Sequence, residues 1–317
     1  MGLTKFIAQP YAVERERITS ALACFPNLTS ISILRQTDPA RNHAPTWMVR
    51  EILIWIARHL SRLQYMRIDY DGYPLDHFAH LPSLRTLQLS GFSDTAPKHA
   101  QQSLRSLMNL QELHIIPAGY IMRRPYFKCQ QPKQSVTAAL IQNLKPLRVL
   151  TLCEPPERQA NSEAFLTPLM MKAVGSAHGQ SLVELRICSL HALSGATLSM
   201  LSALLTTATR LRALGLTFPD MLVDLLDALP ETVILLELLV RDAVEALIML
   251  DRLNALPSTS LQRRRVKFLT ASSAINATGL ASTKLPICQV EEMCHVSRRA
   301  HSDWTVSWGV WRPFSDA

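Results

Sequence analysis

The chain has 317 residues, of which 48% are hydrophobic and 18% are charged, with a formal net charge of +8. That size and apolar content provide a continuous core and exclude a small secreted domain held together by disulfides; the six cysteines have neither disulfide-framework nor zinc-finger spacing. The aromatic share of only 6% favours a core of stacked aliphatic layers.

The N-terminal residues carry no apolar signal-peptide run, because a cluster of four charged residues, Glu14 to Arg17, comes too early. Further along, the most apolar stretch, 221–240, is interrupted by charges such as Asp224 and Glu231, so it predicts no membrane span. The sequence therefore predicts a cytoplasmic or nuclear protein without membrane contact.

A six-residue phrase recurs along the chain, with leucine or a similar aliphatic residue at its first, fourth and sixth positions. Each phrase predicts a short parallel strand, and the residues between phrases must hold a returning helix. Irregular repetition of such units is typical of a solenoid that binds other molecules. The eight phrases begin at Leu28, Leu63, Leu84, Leu110, Leu147, Leu182, Leu211 and Val233. A ninth, looser phrase runs from Leu261 to Phe268.

Aliphatic residues at helical spacing precede most of these phrases. They predict helices over 48–60, 140–144, 169–177, 198–205, 221–229 and 244–253. The predicted fold is therefore an α/β solenoid over residues 1–268, in which parallel strands alternate with returning helices in eight to nine irregular repeats.

Residues 269–317 differ from the repeats and predict a C-terminal capping segment. We expect a loop over 271–284, a helix over 287–299 and a strand over 304–310. Terminal repeats of solenoids shield an open core edge, and the tryptophans of this segment suit that role. The alternative is an aromatic cluster that binds a peptide. The tryptophans concerned are Trp304, Trp308 and Trp311.

The recurring phrase resembles the leucine-rich repeat, and its wide, uneven intervals are similar to those of the substrate-recognition region of F-box proteins, especially fungal ones. The resemblance covers roughly residues 13–268. It implies an α/β leucine-rich-repeat solenoid with a curved parallel sheet on the concave face and helices on the convex face. It also implies a surface that selects a protein substrate for a cullin-type ubiquitin ligase. The F-box has no clear counterpart, since Glu51-Ile52-Leu53 matches only its middle. Contact with a ligase adaptor is therefore expected only if an F-box is supplied elsewhere.

Side chains between the phrase leucines should point outward on the concave face, because side chains alternate along a strand. Those from the second to the sixth repeat are polar and include both positive and negative charges, which suits recognition of a protein partner by complementary charge. The alternative is an ordinary solvated sheet surface. The residues predicted to contact a partner are Arg67, Asp69, Gln88, Glu112, His114, Thr151, Glu184 and Arg186.

Long insertions follow three of the predicted strands, at 36–46, 117–136 and 154–165. The second combines aromatic and basic side chains, which would anchor an acidic partner; a disordered insertion is the alternative. Its candidate contact residues are Tyr120, Arg123, Arg124, Tyr126, Phe127 and Lys128. Together with the basic run at 263–267, this insertion supports polyanion binding as a third hypothesis, although nucleic acid is less favoured as a partner than protein.

The sequence contains no catalytic motif, no metal-ligand cluster and no cofactor fingerprint, which predicts a binding protein rather than an enzyme.

Cys153 and Cys188 occupy equivalent places on predicted neighbouring strands, within disulfide reach, and free thiols are expected in a reducing cytosol. The leading hypothesis is substrate selection for ubiquitin ligation, and the alternative is a stand-alone scaffold or inhibitor with no ligase role.

Overall fold

The computed structural model describes residues 3–34, 46–69, 73–116, 133–154, 164–256, 264–271 and 304–311. The chain divides into two compact units, Met1–Leu147 and Arg148–Ala317, which we call the N-terminal unit and the C-terminal unit. In both units, parallel strands alternate with helices along the chain. The predicted α/β repeat architecture is thereby confirmed.

The N-terminal unit contains a sheet of four parallel strands in the order β1, β2, β3, β5, and a separate antiparallel pair, β4 and β6. A 3-10 helix, Asp76–His80, lies between β2 and β3. The other elements are α1 Leu3–Ala23, β1 Ser30–Ile33, α2 Thr46–His59, β2 Tyr65–Ile68, β3 Thr86–Leu89, β4 Phe92–Ser93, α3 Pro97–Arg105, β5 Glu112–Ile115, β6 Lys133–Gln134 and α4 Ala138–Asn143.

The C-terminal unit contains six parallel strands that pair in chain order from β7 to β12. A second 3-10 helix, Val223–Ala228, lies between β9 and β10. The other elements are β7 Val149–Cys153, α5 Pro168–His178, β8 Glu184–Cys188, α6 Gly195–Thr207, β9 Ala213–Thr217, β10 Leu235–Val240, α7 Ala243–Ala255, β11 Arg264–Ala271 and β12 Trp304–Trp311.

The core of each unit is built from the aliphatic positions of the recurring phrase. In the phrase that begins at Leu84, the residues Leu84, Leu87 and Leu89 are all completely buried, and Leu182, Leu185 and Ile187 repeat this pattern in the C-terminal unit. Burial of one leucine side chain contributes roughly 1.5–3 kcal/mol, so stacked repeats hold each sheet against its helices.

Side-chain caps fix the first turn of several helices. Thr137, Thr167, Ser194 and Asp242 each accept a hydrogen bond from the backbone N–H three residues later, at the start of α4, α5, α6 and α7. Such a cap stabilises a helix by about 1 kcal/mol, because it satisfies an N–H group that has no partner within the helix.

All eight predicted strands are present, and the loose ninth phrase forms β11. The helices predicted over 48–60, 140–144, 169–177, 198–205 and 244–253 correspond to α2, α4, α5, α6 and α7. Sequence patterning did not predict α1, which packs beside α2, where Arg15 lies 4.0 Å from Glu51.

The α-helix predicted over 221–229 is wrong in type, because these residues form the 3-10 helix Val223–Ala228. Only 22 residues separate the starts of the phrases at Leu211 and Val233, and the other 3-10 helix occupies the interval of 21 residues that starts at Leu63. A 3-10 helix advances about 2.0 Å per residue against 1.5 Å for an α-helix, so it returns along the strand with fewer residues.

At the C-terminal end, the predicted strand at 304–310 is confirmed as β12, and the Trp308 ring lies 5.3 Å from that of Phe268. This strand pairs in parallel with β11, which runs across the predicted 268/269 boundary. The capping role of 269–317 stays a prediction, since the expected loop at 271–284 and helix at 287–299 lie almost wholly outside the described residues.

Candidate binding surface on the sheets

In the N-terminal unit, strand register places the predicted contact residues in columns on one face of the sheet. Ser32, Arg67, Gln88 and His114 are aligned across β1, β2, β3 and β5. This column faces away from the buried phrase leucines because side chains alternate along each strand, and the burial patterns of β2, β3 and β5 alternate accordingly.

A second column on the same face contains Tyr65, Thr86 and Glu112, aligned across β2, β3 and β5. The Thr86 hydroxyl donates a hydrogen bond of 3.0 Å to a Glu112 carboxylate oxygen, and His114 Nε2 lies 4.0 Å from the same oxygen. All these side chains are half-buried. The face is therefore polar and linked by short neighbour contacts.

In the C-terminal unit, the outward face carries a row of alternating charges. Arg186 Nε donates to Glu184 at 2.8 Å, and a terminal nitrogen of the same guanidinium lies 3.2 Å from Glu237. The other oxygen of Glu237 accepts a hydrogen bond of 3.2 Å from the Lys267 ammonium. We call these four residues, Glu184, Arg186, Glu237 and Lys267, the charge row.

The Arg186–Glu237 contact reaches across a whole strand. Arg186 is on β8 and Glu237 is on β10, and Gly215 of β9 lies between them in register. A Cβ atom at Gly215 would lie 3.2 Å from Arg186 Cγ and 3.7 Å from a Glu237 carboxylate oxygen. The glycine therefore leaves open the space through which the two side chains meet.

The two carboxylates beside Arg186 stabilise its charged form. Burial would lower the pKa of Arg186, but the hydrogen bond to Glu184 and the charge of Glu237 outweigh it, so the pKa is raised. The four formal charges cancel, and the side chain of Glu237 is only 14% exposed. A partner that contacts this region meets a neutral, preorganised arrangement of donors and acceptors.

Two outward positions of the C-terminal unit are less accessible than their place in the strand suggests. Thr151, a predicted contact residue, is only 5% exposed and lies beside Arg186 in register, so it offers a partner almost no surface. Leu239, at an outward position of β10, is only 8% exposed and is aligned with Leu269 of β11, which is also 8% exposed.

Asp69 follows β2, where its N–H donates to Ile33 of β1. Six contact residues predicted in the second insertion lie outside the described residues. They are Tyr120, Arg123, Arg124, Tyr126, Phe127 and Lys128. Arg263, the first residue of the basic run, lies outside them as well.

The rest of the basic run does not form one patch. Arg264 is buried, with its guanidinium donating to the Glu231 carbonyl, whereas Arg265 is exposed and Lys267 is paired with Glu237. Alternate residues of β11 point to opposite sides, so Arg264 is on one side of the strand and Arg265 and Lys267 are on the other.

Within the described ranges, no three histidine, cysteine or carboxylate side chains come together as a metal site. No helix among the described residues is long and apolar enough to cross a bilayer.

No family model matches the chain, and no curated protein matches it.

Proposed function

We propose that the outward sheet faces form a protein-binding surface, and that the protein selects a partner for a cullin-type ubiquitin ligase in the cytoplasm or nucleus. The observation that carries the binding proposal is the in-register alignment of half-buried polar side chains on the face opposite the leucine core. The resemblance to the substrate-recognition region of F-box proteins carries the ligase part.

The N-terminal unit is the better candidate for specific contact. Its outward columns combine a phenol, an amide, an imidazole and a guanidinium, from Tyr65, Gln88, His114 and Arg67. These groups offer both donors and acceptors, and Tyr and Arg are the residue types that dominate binding energy at protein interfaces. The neutral charge row would extend the surface in the C-terminal unit and favour a partner of complementary charge pattern.

Affinity purification of the tagged chain from its native cells, followed by mass spectrometry, tests this proposal. We expect a stoichiometric protein partner together with a cullin-ligase adaptor. Recovery of a partner without the adaptor would reject the ligase role and leave the stand-alone scaffold or inhibitor. If neither a protein partner nor the adaptor is recovered, both the binding proposal and the ligase proposal are overturned. Recovery of nucleic acid instead would favour the hypothesis of polyanion binding.

A matched pair of variants tests whether the partner contacts the outward face of the sheet. Gln88→Arg inserts a long charged side chain into the column that Gln88 shares with Arg67 and His114. It should reduce partner recovery at least tenfold, which corresponds to about 1.4 kcal/mol of binding free energy. Gln102→Arg makes the same change at an exposed position on α3 and should leave recovery unchanged. Equal recovery with both variants, at equal thermal stability, would remove the sheet face from the binding surface.

A further inference from the structure

The outward face of the C-terminal unit contains two cysteines side by side. Cys153 ends β7 and Cys188 ends β8, and the two residues are paired in register. Both side chains point to the same face as the charge row, because each lies two residues beyond an outward residue, Thr151 or Arg186. Neighbouring parallel strands are about 4.8 Å apart, which is within the Cα separation that a disulfide spans.

The two thiols are chemically unequal. Cys153 is buried at 6% exposure, whereas Cys188 is half-buried. A hydrogen bond between the two sulfurs lowers the pKa of Cys188, and the Thr217 hydroxyl and the charge of Arg186 act in the same direction. Together they outweigh burial and the charge of Glu237, which would raise this pKa. The same hydrogen bond, together with burial, raises the pKa of Cys153. The less buried residue of the pair is therefore the one whose sulfur favours the thiolate, the nucleophilic form.

We propose that Cys153 and Cys188 form an oxidation site, at which a hydroperoxide converts the two thiols into a reversible intramolecular disulfide. This modification is distinct from partner selection and does not depend on it.

The chemistry proceeds in two balanced steps. The Cys188 thiolate attacks the terminal oxygen of the hydroperoxide, the O–O bond breaks, and Cys188 becomes a sulfenic acid. The alkoxide or hydroxide that leaves takes up the proton that the Cys188 thiol gave to solvent on ionising, and becomes an alcohol or water. The Cys153 sulfur then attacks the Cys188 sulfur, the S–O bond breaks, and water leaves with the thiol proton. Two thiols are oxidised by two electrons, and one hydroperoxide is reduced.

Peptide mapping of the full-length protein tests the site directly. Reduced protein is treated with hydrogen peroxide, its remaining thiols are blocked with N-ethylmaleimide, and it is digested with trypsin. Cys153 and Cys188 fall in separate tryptic peptides, 149–158 and 187–210, each with a single cysteine. We expect these peptides to be joined, with a mass about 2 Da below the sum of the two thiol forms, and to separate again with dithiothreitol.

Three variants assign the roles. Cys153→Ser should leave Cys188 as a sulfenic acid that dimedone traps, and Cys188→Ser should leave Cys153 as an unmodified thiol. Cys24→Ser, a control at an exposed cysteine on the other unit, should leave the yield of the joined peptides unchanged. Urea-unfolded protein should lose the preference for this pair, because the fold brings the sulfurs together.

The proposal is overturned if the two peptides are recovered singly, as maleimide adducts, under conditions that oxidise Cys24. It is also overturned if Cys188 is joined to another cysteine in preference to Cys153. Trapping of sulfenic acid at Cys153 rather than at Cys188 would reverse the order of the two steps and contradict the mechanism.

Discussion

The N-terminal and C-terminal units share an inward pattern of leucines but differ in how their outward side chains are held. In the N-terminal unit, Glu112 makes contacts with residues on its own and the adjacent strand, Thr86 and His114. In the C-terminal unit, Glu237 joins side chains from both directions and reaches β8 across an intervening strand. One repeat pattern therefore supports both a locally linked polar face and a face held by ion pairs over several strands.

The largest expected effect tests what the two units share. Leu87 and Leu214 are at the same phrase position in β3 and β9, and both are essentially fully buried. Leu87→Ala and Leu214→Ala should each lower the free energy of unfolding by about 2–5 kcal/mol, because each leaves a cavity in the core. Urea denaturation followed by circular dichroism measures the change.

Leu169→Ala is the control for that experiment, since Leu169 is 69% exposed on α5 and its truncation should change stability little. Equal losses at Leu87 and Leu214 would show that the inward faces are equivalent. A loss at only one of them would mean that the two units differ in their cores as well as in their outward faces.

The next effect tests what distinguishes the units. Glu237→Gln removes the carboxylate that joins Arg186 and Lys267 and leaves two cations around a neutral amide. We expect a loss of about 1–3 kcal/mol in the free energy of unfolding, since hydrogen bonds to charged groups contribute that much. Denaturation at low and high salt measures the loss, which should shrink in high salt as the remaining charges are screened.

Glu112→Gln is the matched change in the N-terminal unit. Glu112 is 42% exposed, so this substitution should cost less than about 1 kcal/mol. If Glu112→Gln were as damaging as Glu237→Gln, the distinction between a locally linked face and a charge row would fail.

The smallest effect concerns an ion pair on the helix side of the C-terminal unit. Arg252 donates to Asp227, and both side chains are more than two-fifths exposed. Arg252→Gln should leave the urea midpoint nearly unchanged at neutral pH, because water competes for exposed ion pairs. A loss as large as that of Glu237→Gln would mean that exposed pairs matter as much as the charge row.

The pH dependence of the same pair has a definite sign. The hydrogen bond from Arg252 lowers the pKa of Asp227. Whatever stability the pair provides is therefore present above the ordinary carboxyl pKa and is lost as the pH falls through the lowered value. The small difference between wild type and Arg252→Gln should disappear in acid, and a difference that grew on acidification would contradict the assignment.

Much of the fold was predictable because the phrase encodes it locally. Three aliphatic positions in six residues define a strand and its buried face, and that was enough to predict the outward columns and the pairing of Cys153 with Cys188. The 3-10 helix at Val223–Ala228 was mistaken for an α-helix because its apolar spacing is the same. Interval length was the signal that could have separated them.

The charge row was only partly predictable. Glu184 and Arg186 were recognised as contact candidates, but Lys267 belongs to the loosest phrase, so its register with Glu237 became clear only in the folded sheet. The burial of Thr151 was missed for a related reason, since strand alternation gives the direction of a side chain but not what lies over it.

Gly215 limits how freely the repeats of the C-terminal unit can be exchanged. Because the ion pair passes over this glycine, the strands β8, β9 and β10 act as one block rather than as three interchangeable modules. Deleting the middle repeat would bring Arg186 and Glu237 onto neighbouring strands, whereas inserting a repeat would separate them beyond reach. Recombination that respects repeat boundaries would still need to keep this block of three intact.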